Sequence, residues 1–111
     1  MARVLAVGTA VPEAQYDQKT IRGHCEKAFA GTAAAGRENL FDRAGVETRG
    51  LVEAPEYYFA GVPFERRNAD YFPHAERLAR RALESALEEA GVAIEALTHL
   101  FSVTTTGRLT P

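Results

Sequence analysis

Leu100-Phe101-Ser102-Val103-Thr104-Thr105-Thr106-Gly107-Arg108-Leu109-Thr110-Pro111 joins a run rich in β-branched residues to a loop punctuated by glycine and proline. Branching at Cβ stiffens χ1 and suits a pleated strand, whereas Gly107 and Pro111 interrupt regular structure. The stretch therefore predicts a strand over residues 99–105 that delivers hydroxyl side chains to a loop at its carboxyl end. In open α/β sheets that end is where ligand sites are built.

A second short apolar run opens the chain: Val4-Leu5-Ala6-Val7, closed by Gly8 and followed by Pro12. It predicts a strand near residues 3–8, buried on both faces and then a loop. Asp17 is placed to cap a helix with Ile21, Cys25, Ala28 and Phe29 on one face, ended by Gly31. A second helix carries Leu40, Phe41 and Ala44 inward, with Gly45 just past its end. Residues 46–52 read as a strand, and residues 53–63 as an irregular loop holding Tyr57, Tyr58 and Phe59.

Residues 64–72 predict a short helix, and Pro73 then suits the first turn of the longest helix. That helix runs to about Ala90 and meets Gly91 at its C′ position. Ala75, Leu78, Ala79, Ala82, Leu83, Ala86, Leu87 and Ala90 form its apolar stripe. So many alanines imply close approach to a sheet or to another helix. Strands separated by helices argue for parallel pairing through right-handed crossovers. The expected fold class is α/β, an incomplete mixed or parallel sheet with flanking helices. The strands at 3–8 and 99–105 are expected as neighbours, packed beside the long helix.

At 111 residues the chain is within single-domain range. Its net charge of −2 offers no broad basic field for nucleic acid or an anionic membrane. One cysteine rules out an internal disulfide and fits a reducing compartment. The apolar run at the amino terminus is too short for a signal peptide, and no stretch is long enough to span a bilayer. The expected localisation is cytoplasmic.

Cys25 is the only thiol. It lies one helical turn from both Ile21 and Phe29, on the apolar face, and reads as a small core hydrophobe rather than a nucleophile. His24, His74 and His99 stand in separate elements without metal-ligand spacing, and no metal site is expected. Arg37, Arg43, Arg49, Arg66 and Arg67 have nearby carboxylates in Glu38, Asp42, Glu47 and Glu65, which suits a solvated surface. The same guanidinium groups also suit a clamp for the phosphates of an anionic carrier. Gly8-Thr9-Ala10-Val11-Pro12 lacks the spacing of a dinucleotide fingerprint. There is no Walker loop and no G-x-S-x-G elbow.

Several stretches together resemble one family. Val4-Leu5-Ala6-Val7-Gly8-Thr9-Ala10-Val11-Pro12 resembles the opening of thiolase-superfamily condensing enzymes, and Phe41-Asp42-Arg43-Ala44-Gly45-Val46-Glu47-Thr48-Arg49 resembles their helix-to-strand passage. Phe64-x-x-Arg67-x-x-x-Tyr71, the alanine-rich helix, Thr98-His99-Leu100, Val103-Thr104-Thr105-Thr106-Gly107 and Thr110-Pro111 are similar to bacterial type III polyketide synthases of the chalcone synthase type. The resemblance spans nearly all of the chain, and order and spacing carry it more than any single motif. It implies the amino-terminal third of a thiolase-like, homodimeric acyltransferase, a partial domain over residues 1–111.

Family members load an acyl-CoA starter on a Cys-His-Asn triad, decarboxylate malonyl-CoA and condense the two. The resemblance places all three triad residues downstream of Pro111, so no catalytic residue and no cofactor is expected here, and the 111 residues are expected to be inactive alone. Thr105 and Thr106 match positions lining the starter and cyclisation pocket, and Thr110 matches one that reaches into the partner subunit's cavity. Arg43 matches a basic position near the CoA phosphates. Two neighbouring basic positions of the plant enzymes are Gly36 and Asn39 here, with Arg37 beside them to compensate. The alternatives are the β-ketoacyl-carrier-protein synthase III branch, against which stand Phe64-x-x-Arg67-x-x-x-Tyr71 and the absence of tryptophan, and a non-catalytic interaction module.

Overall fold

The computed structural model describes residues 1–32, 35–36 and 39–105. Helices and a small antiparallel sheet make it a mixed α/β chain. It divides into two units, Pro12–Val62 and the combination of Met1–Val11 with Pro63–Pro111.

In the Pro12–Val62 unit, β1 (Gln15–Asp17) leads directly into α1 (Gln18–Phe29). Asp17 caps that helix as its sequence position predicts: its Oδ1 accepts the Thr20 N–H at 2.6 Å, from an extended backbone at φ −68° and ψ 154°. α2 (Asn39–Arg43) follows, and Gly45 beyond it adopts φ +62°, in the left-handed region that glycine enters without strain. β2 (Thr48–Gly50) then pairs with β1 in antiparallel register, Gln15 opposite Gly50, Tyr16 opposite Arg49 and Asp17 opposite Thr48. At the end of this ladder Gly50 lies against the side chains of Gln15 and Pro12. A Cβ there would lie 2.8 Å from Gln15 Nε2 and 3.0 Å from Pro12 Cδ.

Gln18 ties these pieces together. Its backbone N–H donates to the Glu47 carbonyl at 2.8 Å, its Nε2 donates to the Phe41 carbonyl at 3.3 Å, and its Oε1 accepts from Arg49 Nε at 2.8 Å. Beyond the sheet, Pro55–Phe59 forms a 3-10 turn that packs on α1. Phe59 stacks parallel to His24 (centroids 6.5 Å apart) and meets Phe29 edge-on at 6.2 Å. Among the described residues the buried side chains are Ile21, on the face of α1 that sequence periodicity assigns to the interior, and Pro55.

The other unit is built on α3 (Phe64–Ala90), a single helix of 27 residues. Sequence reading divides it at Pro73, but the structure places that proline inside the helix. The first turn is set nine residues earlier, where the Arg67 N–H donates to the Pro63 carbonyl at 3.0 Å. An Arg66–Asp70 ion pair at 2.9 Å then supports the segment at i,i+4 spacing. One missing N–H at Pro73 removes one backbone bond and does not end the helix. The carboxyl end closes as predicted. Gly91 adopts φ +64°, its N–H donates to the Glu88 carbonyl at 3.1 Å, and the Val92 N–H donates to that of Leu87 at 3.0 Å, a Schellman motif.

The alanine stripe of α3 does receive a close neighbour. Gly8 lies so near Ala82 and Ala86 that a Cβ on Gly8 would collide with the Ala82 carbonyl oxygen and stand 2.7 Å from the Ala86 nitrogen. The neighbour is not the expected sheet. Residues 3–8 and 99–105 carry no ladder pairing, so neither predicted strand forms among the described residues, and the one sheet described is antiparallel rather than parallel. β-Branched composition favours the strand conformation but does not supply the second strand whose hydrogen bonds complete it. Ile94–Ala96 adds one further 3-10 turn. Among the described residues no helix is long and apolar enough to cross a membrane.

Candidate functional site

Thr105, matched by resemblance to the starter pocket, stands exposed at the last described position of the chain. Its neighbour Thr104 is hydrogen-bonded: Thr104 Oγ1 and Tyr71 Oη lie 2.7 Å apart, joining the threonine run to the amino-terminal half of α3. Tyr71 is half-buried, and its ring meets that of Phe72 edge-on at 5.4 Å. The segment's apolar residues lie in the open, with Leu100, Phe101 and Val103 exposed at 74%, 88% and 94%. Thr106 and Thr110 lie outside the described residues.

Arg43 is the last residue of α2 and is exposed. Its neighbour Asp42 does not pair with it; both Asp42 carboxylate oxygens accept from Arg22 Nη1, at 3.1 and 3.3 Å. Among the described residues Arg43 has no ion pair. Arg49 is turned instead toward Gln18. Arg37 lies outside the described residues. Thr105 and Arg43 belong to different units.

On the Pro12–Val62 unit, Gln18, Lys19, Arg22, Gly23, Glu26 and Asp42 line a groove of about 530 Å³. Two cations and two carboxylates face it, and Arg22 is already engaged by Glu26 at 2.7 Å and by Asp42. A groove whose charges cancel internally offers no net attraction to a phosphate.

Cys25 is half-buried, and burial pushes its thiol upward against the opposing pull of Arg49. A thiol so disposed holds less thiolate at neutral pH than a free one, the reverse of an activated nucleophile. The histidines also stay apart. His24 is half-buried, with its Nε2 3.6 Å from Glu56. His74 Nδ1 contacts Arg77 at 3.3 Å, and His99 Nδ1 contacts Thr98 Oγ1 at 3.0 Å. Among the described residues no three His, Cys, Asp or Glu side chains group as metal ligands.

Sequence reasoning did not single out Gln18, the joint of its unit, or Tyr71 as the partner of Thr104. Gln18 follows the cap residue Asp17, and that position could have drawn attention to it. The Tyr71–Thr104 pairing spans 33 residues and leaves no local pattern. The chain matches no protein-family profile and no curated protein.

Proposed function

We propose that the chain is the amino-terminal part of a type III polyketide synthase-like acyltransferase with a thiolase-like fold, condensing an acyl-CoA starter with malonyl-CoA in the cytoplasm as a homodimer. One observation carries this reading. Stretches that resemble the family and lie far apart in sequence meet on one helix. Gly8 of the opening stretch packs on Ala82 and Ala86 of the alanine-rich helix. Tyr71, the last residue of Phe64-x-x-Arg67-x-x-x-Tyr71, holds Thr104 of the threonine run.

In this reading Thr105, Thr106 and Thr110 line the wall against which the starter acyl group and growing chain lie. Their hydroxyls offer donors and acceptors to carbonyl oxygens along the polyketide. Arg43 and Arg37 attract the phosphates of CoA, and Arg43 is exposed and unengaged by any described carboxylate. The chemistry belongs to a Cys-His-Asn set further along the chain. There a thiolate takes the acyl group from CoA, and loss of CO2 from malonyl-CoA supplies the carbanion that attacks the resulting thioester.

The reading frame tests this directly. It is expected to continue beyond Pro111 into a cysteine nucleophile followed by histidine and asparagine. A frame that closes there, or one that continues without a cysteine for the acyl group, contradicts the proposal.

A further inference from the structure

We draw no further inference here: the strongest candidate, the surface patch that Leu100, Phe101 and Val103 leave exposed on the segment after α3, carries nothing because nothing in the structure shows what covers it.

Discussion

Gly8 and Gln18 show how single positions set the close packing of this chain. Gly8 is needed for space. The Ala82 carbonyl oxygen and the Ala86 nitrogen occupy the volume a side chain would take, and both belong to helical backbone that does not yield cheaply. Gly8→Val is therefore expected to destabilise the Met1–Val11 contact with α3 by about 1–3 kcal/mol, the usual cost of overpacking. Urea unfolding of the variant checks this, and an unchanged midpoint would mean that the amino-terminal segment does not rest on α3. Gln18 is needed for its groups. An amide carries both a donor and an acceptor on one side chain, so it serves the Phe41 carbonyl and the Arg49 guanidinium together, which neither a carboxylate nor an ammonium does.

Among the elements, α1 depends on its cap. The Thr20 N–H, and to a lesser degree the Thr20 side chain, hold the Asp17 carboxyl below its ordinary value. A depressed folded value means that the contribution is present above the unfolded pKa of about 4 and is lost as pH falls through the folded one. Helicity at 222 nm is expected to fall in that acid window, and Asp17→Asn, which keeps an acceptor oxygen without a titrating group, is expected to remove this part of the loss. An identical acid profile in the two proteins would assign the loss elsewhere. In α3, Pro73 denies the Ala69 carbonyl its helical partner, and Pro73→Ala is expected to raise stability by up to about 3 kcal/mol, read as a higher Tm. No change in Tm would mean that the surroundings already compensate for the missing bond. Both helix ends governed by local chemistry, the Asp17 cap and the Gly91 motif, were legible in the sequence, as was the alanine stripe that Gly8 meets. β1 was not, because Gln15-Tyr16-Asp17 has no apolar alternation and becomes a strand only through β2. The strands expected at 3–8 and 99–105 failed for the complementary reason: their composition suits a ladder, and no partner strand is present among the described residues. At the candidate site, Thr105 and Arg43 were legible only through resemblance. Tyr71 as the support of Thr104 was not legible at all, since a hydrogen bond across 33 residues has no period.

At the scale of the whole molecule, many large apolar side chains among the described residues are exposed. Ile21 is the one core hydrophobe among the described residues, while Val4, Phe101 and Val103 are 79%, 88% and 94% exposed. Exposed apolar surface on segments with unpaired backbone recruits other chains. The 111-residue polypeptide is expected to self-associate, giving a light-scattering mass above 12.1 kDa that rises with concentration. A constant monomer mass together with a sharp cooperative melt would contradict this. The proposed function faces its most direct test in the protein expressed from the complete reading frame, supplied with an acyl-CoA starter and radiolabelled malonyl-CoA. Label is expected to pass into an extended polyketide with release of CO2 and CoA, and without any carrier protein. Malonyl-CoA left intact, or label incorporated only when malonate is presented on a carrier protein, would contradict it.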